Sequence, residues 1–548
     1  MNRTSTFRRL TATVALASVT VLAVTACVPR DSTDTQGPAT IDPSALVASL
    51  SAATQPRDTV TWAVVEGEPQ TLDPASSANV IVPNLCDSLL TVTPDFTLEP
   101  GIAESADWVD PVTFEITVRA GVSFWDGTPV TGADVAYSLE RNRDPMSQWY
   151  AAFALVTSIE AVDNTVVVHF AAPDTTFRDA LSGGGGAVMS KAFGDQVGQD
   201  LGTSGGGLMC SGPFKLDEWK PGTEISITAN PDYWNGAPLT ERIRFVFVTD
   251  GSTLTSALTS GEIDGAFNVP PGSRQALSAD GAGRLIVGPS TASYSFGPAS
   301  AESAAANPLV RQALSLAIDR EQYIDTVLQG LGEVQKTIVP PFVWSGMEAK
   351  DVYQNAYDAL PEPKVDLERA KELIAASGVD TSVPLVLAVP AGAKEFSQTA
   401  SIVQSAAKNI GLTIQIDERQ PADFGALFYT PELRAGVDFV ATTGYLEVPG
   451  VLGYPQLFML PEDLGGIFNW SGYSNDEVTE GLQAARTATD PTTAADAFAG
   501  AQEVFAPDQL QVTLASAYQL TYLATDLTGV TTSVAIYSSP WALRLGGE

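Results

Sequence analysis

The chain has 548 residues, with 29 Lys and Arg against 64 Asp and Glu, a formal charge of −35 at pH 7. This acidity excludes nucleic acid as a natural partner and disfavours adhesion to anionic lipid faces, while 44% hydrophobic and 17% charged residues describe a globular body long enough for three or four domains' worth of core. One histidine, His169, and three cysteines rule out the usual His/Cys zinc sites, so neither a metal nor a cofactor is expected.

Residues 1–26 begin with Arg3, Arg8 and Arg9 and continue as an apolar run too short to span a membrane, the pattern of a secretory leader. Val24-Thr25-Ala26-Cys27 resembles a bacterial lipobox, which implies that Cys27 becomes the lipid-bearing first residue of the mature protein at the outer face of the cytoplasmic membrane. Residues 27–57, rich in Pro, Ser, Thr, Asp and Gln and poor in apolar period, read as a flexible tether.

Strand and helix patterns then alternate. Phe114, Ile116 and Val118 share one face of a strand over 113–119; Val166, Val168 and Phe170 do so over 165–170, and Ile243, Phe245 and Phe247 repeat the period. Asn307 followed by Pro308 predicts a helix start, and the stripe Val310, Leu314, Ala317, Ile318, Ile324, Val327, Leu328 predicts one helix running to Gly330. A strand over 383–389, a helix over 396–410 and a strand over 412–416 make a crossover that requires parallel pairing. The class is α/β, or mixed α+β.

Chemical motifs are weak. Gly202-Thr203-Ser204-Gly205-Gly206 matches G-x-S-x-G, but the single histidine lies upstream and no strong strand precedes the serine, so a flexible loop is expected in place of a nucleophile turn. Ser405-Ala406-Ala407-Lys408 matches S-x-x-K inside the amphipathic helix with no downstream K-T-G partner. His169 is expected to be an ordinary strand residue. Cys86 and Cys210 remain once Cys27 is lipidated, and in an exported chain they are expected to pair; two separate buried thiols are the alternative.

A longer pattern carries the functional reading. Thr71-Leu72-Asp73-Pro74 is followed by Leu98-Glu99-Pro100-Gly101-Ile102-Ala103, then Val122-Ser123-Phe124-Trp125-Asp126-Gly127-Thr128-Pro129-Val130-Thr131 and Asp134-Val135-Ala136-Tyr137-Ser138 with Arg141. Ser211-Gly212-Pro213-Phe214, Asn230-Pro231-Asp232-Tyr233-Trp234, Val310-Arg311-Gln312-Ala313-Leu314 and Ala317-Ile318-Asp319-Arg320 continue it. This ordered run, across roughly residues 60–530, resembles the family 5 solute-binding proteins, the peptide/nickel-type receptors of ABC importers. Physically these positions are architectural: Asp126-Gly127 has turn chemistry, and Thr131 with Asp134 forms a capping-box-like helix start.

The resemblance implies a two-lobed periplasmic-binding-protein-like fold with an extra small domain: lobe I from 58–95, 200–290 and 513–548, domain II from 96–199 and lobe III from 291–512. It further implies closure of the lobes on a solute and delivery to a membrane permease. The receptor is expected to act as a monomer, without catalysis. In peptide-binding members an extended peptide pairs its backbone with lobe strands, and an aspartate in the lobe III crevice holds its ammonium. Here the corresponding stretch is Gly444-Tyr445-Leu446-Glu447-Val448-Pro449-Gly450, with Glu447 in the aspartate's place and the usual Asp-Pro pair absent. The ligand candidates are Tyr294, Tyr445, Glu447, Phe468 and Trp470. An oligopeptide is the expected ligand; the aromatics stack equally well on a sugar, so an oligosaccharide, a metal chelate or another solute stays open. So do a purely signalling receptor and, more distantly, a hydrolase built on Ser204.

Overall fold

A computed structural model describes residues 41–279, 281–444 and 446–548; the leader, Cys27 and Tyr445 lie outside the described residues. The body is built on an eleven-stranded mixed sheet that runs without interruption through both of its halves. In the first half, Arg57–Val64 lies between the parallel strands Thr240–Phe247 and Gly265–Ala266, and Glu224–Ala229 and Phe214–Lys220 extend the edge antiparallel. In the second half, Leu385–Pro390 pairs in parallel with both Ile414–Arg419 and Phe439–Gly444. The expected crossover is present: helix Lys394–Asn409 joins the first two of these strands and buries Ala400, Val403 and Ala407. Among the described residues no helix is long and apolar enough to cross a membrane.

Two long antiparallel strands, Gly283–Pro298 and Val512–Ala524, carry the sheet from one half to the other. Their register shifts between Gly288 and Ala292. A side chain at Gly288 would place its Cβ 1.8 Å from the Thr532 carbonyl oxygen, so only glycine lets the chain pass at the bulge, where such irregularities bend a strand and sharpen its twist. Each half has its own core. Trp62 is fully buried against Phe267 and Trp541, all three ring pairs having centroids 4.6–4.7 Å apart; such contacts add about 0.5–1.5 kcal/mol each beyond area burial. Phe296, Leu314, Leu387, Val403 and Phe439 centre the other core.

A smaller sheet of four antiparallel strands, Ala103–Asp110, Thr113–Val118, Thr165–Phe170 and Val156–Val162, encloses a separate core around Phe114, Phe153 and Phe177. The helix Gly132–Arg141 covers it. Its start is the expected capping box, the Asp134 carboxylate accepting from Thr131 N at 3.0 Å.

Two sequence expectations are corrected. The stripe over 308–330 forms two helices, Pro308–Ala317 and Arg320–Thr326. Asp319 breaks it by capping the second helix from Gln322 N at 2.9 Å, while the Arg320 guanidinium donates to the Thr513 and Ser315 carbonyls at 2.9 Å each. Residues 41–57 also do not belong to a free tether. Val47 N donates to Val287 O, Leu50 N to Val530 O and Thr532 N to Ala48 O, each at 2.9 Å. These bonds lay most of the segment along the first half and satisfy backbone groups on both sides, while Ile41 N donates to Gly330 O of the second half at 3.2 Å.

Candidate functional site

The family-like motifs converge on structural networks. Asp73 pairs with Arg141 through two hydrogen bonds, 2.9 Å and 2.5 Å. Asp87 accepts from Tyr233 Oη at 2.8 Å, Trp234 Nε1 at 3.0 Å and Ser211 Oγ at 3.1 Å. Its burial pushes the carboxyl pKa up while these donors pull it down. Beside it the Cys86 and Cys210 sulfurs are 2.01 Å apart. Every carboxylate in these networks is satisfied from within the fold, which leaves none of them for a solute.

A different place offers unsatisfied chemistry. A cavity of about 590 Å³ opens between the four-stranded domain and the second half. Trp149, Arg178 and Asp179 line it from the small domain; Tyr353, Glu447, Leu452, Tyr454 and Gln456 line it from the other side. Glu447 sits on the loop that follows strand Phe439–Gly444. Thr291, at the bulge of the crossing strands, fastens that loop: its Oγ1 donates to Leu446 O at 2.8 Å and accepts from Leu446 N at 2.9 Å. Ser538 Oγ, from the first half, donates to Glu447 O at 2.6 Å. The carboxylate itself meets no donor among the described residues, and burial alone pushes its pKa up to about 8. Asp179 is likewise pushed up to about 8 by burial, against the opposing pull of Arg178. Packing across the interface is close: at Gly183 a Cβ would sit 2.6 Å from the Trp149 ring and 3.0 Å from Val448.

Of the ligand candidates read from sequence, Glu447 lines this cavity and Tyr445 lies outside the described residues. The structure does not bring Tyr294, Phe468 or Trp470 to it. Tyr294 packs between Tyr323 and Phe396, with ring centroids 6.3 Å away in both cases. Trp470 lies under the Arg434 guanidinium at 4.2 Å, and Phe468 is 5.7 Å from Phe428. Aromatic neighbours from the same half already occupy these rings. Sequence reasoning missed Asp179, Trp149, Tyr454 and Gln456. Asp179 lies in the short helix Thr176–Ala180, whose local pattern is that of any solvated turn, and no signal singles it out.

The model of the bacterial extracellular solute-binding proteins, family 5, matches residues 97–457. This chain belongs to that family. As a family 5 solute-binding protein it is a receptor of the kind that serves ABC importers, and not an enzyme. Among similar proteins, the glutathione-binding protein GsiB of Escherichia coli K12 is 23% identical over 445 residues, covering 79% of this chain and 84% of its own. The fold matches DppA of Helicobacter pylori, solved with the peptide STSA, at a TM-score of 0.77 and 21% identity over 90% of this chain and 99% of that one. NikA of Staphylococcus aureus, solved with Ni(L-His)2, matches at 0.74 and 16% identity over 88% and 98%.

In this family 5 protein the chance motifs have ordinary surroundings. Ser204 is exposed in a turn where Thr203 Oγ1 bonds Asp200 O at 2.7 Å. His169 Nδ1 lies 3.4 Å from Thr113 Oγ1 on the neighbouring strand. Ser405 and Lys408 are exposed on their helix.

Proposed function

We propose that this chain is a lipid-anchored receptor, carried on Cys27, that captures an oligopeptide by closing its two halves and delivers it to an ABC import permease. The observation that carries the reading is Glu447. Glu447 is half-buried on the cavity wall and its carboxylate has no hydrogen-bond donor among the described residues, while its backbone is held from both sides by Thr291, through Leu446, and by Ser538. A peptide ammonium that loses its water in such a cavity needs a fixed carboxylate beside it, and Glu447 is one that the fold leaves unpaired. The contact is completed only when the halves come together, so ligand binding favours the closed form.

The test is the composition of ligand released from the purified, denatured protein, read by mass spectrometry, followed by calorimetry on four combinations. Wild type and Glu447→Gln are each titrated with a free-amine peptide and its N-acetyl form. The substitution is expected to weaken the free-amine peptide by at least about thirtyfold and to change the already weak N-acetyl peptide little. Equal losses for both peptides, or for neither, remove Glu447 from the site.

A further inference from the structure

The cavity is strongly biased in charge. Four acids line it, Asp107, Asp179, Glu348 and Glu447, against one base, Arg178. Two of the acids stand on opposite walls, Asp179 on the small domain and Glu447 on the loop of the second half. No donor reaches the carboxylate of either among the described residues. Arg178 adjoins Asp179 but forms no ion pair with it.

Asp174 shows the contrast. It directly precedes the lining residue Thr175 and is fully buried between the small domain and the second half, and there the fold supplies Arg486 at 2.5 Å. Five residues on, Asp179 receives no such partner, although its Oδ2 faces the backbone of the loop that carries Glu447: a Cβ at Gly450 would lie 3.0 Å from that oxygen. An independent observation also points to a ligand. Gln456 is only 8% exposed, lines the same cavity, and its amide oxygen is buried without a hydrogen-bond partner. The buried Tyr454 hydroxyl is unpartnered too. Buried polar groups are ordinarily satisfied, so a cavity that holds two bare carboxylates and two unmet polar atoms is built for donors brought from outside.

We infer that this is a two-point cation site, in which Glu447 takes one positive group of the solute and Asp179 takes a second. The preferred solute class is then a peptide, or a related molecule, with a basic side chain in addition to its ammonium. The inference rests on the proposed function only in placing the solute in this cavity. Trp149 supplies an apolar wall along which an alkyl chain between two cations can lie. Closure brings Asp179 against the Glu447 loop, so the second contact, like the first, forms only when the halves meet.

The experiment separates this inference from the peptide reading. Lys-Ala-Ala, Ala-Lys-Ala and Ala-Ala-Lys are titrated at pH 8 against their norleucine counterparts, which keep the chain and lose the charge. At least one lysine peptide is expected to bind wild type about tenfold or more tighter than its counterpart. Asp179→Asn, which keeps the shape of the side chain, is expected to collapse that ratio to near one, and Asp179→Glu to restore part of it. A wild type without lysine preference, or a preference unchanged in Asp179→Asn, overturns the inference while the peptide reading stands. If no peptide binds, the peptide reading falls, and 1,5-diaminopentane against 1-aminopentane decides the two-cation site by the same ratio in the same variants: a diamine preference lost in Asp179→Asn supports it, and any other result overturns it.

Discussion

Asp174 and Arg486, 312 residues apart in sequence, form a buried ion pair at 2.5 Å between the small domain and the second half. Thr175 adds two hydrogen bonds to the Arg486 carbonyl, both 2.9 Å, and the guanidinium also reaches the Ala151 carbonyl at 3.3 Å. The pair's chain neighbours Thr175 and Ala485 line the cavity that holds Glu447 and Asp179. Taking one partner from such a pair costs about 3–5 kcal/mol, more than a hundredfold in an equilibrium. Arg486→Met is therefore expected to open the protein, because water then solvates Asp174 better than the closed interface does. Small-angle scattering is expected to show a larger radius of gyration and calorimetry a weaker affinity, with Asp174→Asn in the Arg486→Met background recovering much of both.

The pH dependence of stability follows from the two unpaired carboxylates. Glu447 and Asp179 are pushed up to about 8 from ordinary values of 4.5 and 3.8. Between those values the folded chain holds protons that the unfolded chain has released, so ligand-free stability falls as pH rises through the window. Glu447→Gln removes one contribution. Its melting temperature is expected to exceed that of wild type at pH 8 and to converge with it near pH 4, as read by scanning calorimetry without ligand. A gap that does not change with pH speaks against a desolvated Glu447.

Thr291 couples the bulge of the crossing strands to the Glu447 loop. Thr291→Val deletes both hydrogen bonds to Leu446 and leaves its N–H and C=O unmet, at about 1–3 kcal/mol for each buried group. Peptide affinity is expected to fall at least tenfold, whereas Thr291→Ser keeps the hydroxyl and is expected to stay close to wild type. Calorimetry on the two variants is the measurement.

Cys86 and Cys210 are separated by 124 positions. A bond closing a loop of that length contributes about 2–4 kcal/mol. The double alanine variant is expected to lose that much in denaturant unfolding, and non-reducing peptide maps of wild type are expected to show one linked pair. At the other end of the chain, Cys27→Ser is expected to abolish palmitate labelling and to release the protein into the medium.

Features that depend on neighbouring residues are legible in the sequence. The Thr131/Asp134 capping box, the alternation in Thr165–Phe170 and the parallel crossover around Lys394–Asn409 are all written within a few turns of chain. The continuous helix expected over 308–330 divides for a local reason of another kind: Asp319 caps as readily as it continues, and an apolar stripe on both sides of it hides the break. The candidate site is legible only at Glu447, through its place in a motif. Asp179, Gln456 and the Asp174–Arg486 pair owe their surroundings to surfaces brought together from segments hundreds of residues apart, and no periodicity marks them. Tyr294, Phe468 and Trp470 have the chemistry to stack on a solute, but aromatic partners from their own half surround them.

The docking of residues 41–57 along the first half sets the length of the leash. With the proposed lipid on Cys27, only thirteen residues, 28–40, separate the anchor from a segment fixed to the body, and a chain of that length spans at most about 45 Å. Without Arg3, Arg8 and Arg9 of the leader the proposed lipidated chain has 26 basic against 64 acidic residues, a formal charge of −38, which an anionic leaflet repels. The segment that would carry the tether bonds to the first half through Val47, Ala48 and Leu50 and to the second through Ile41, whose N–H donates to Gly330 O at 3.2 Å, so under the proposed anchor the mooring point lies where the two halves meet.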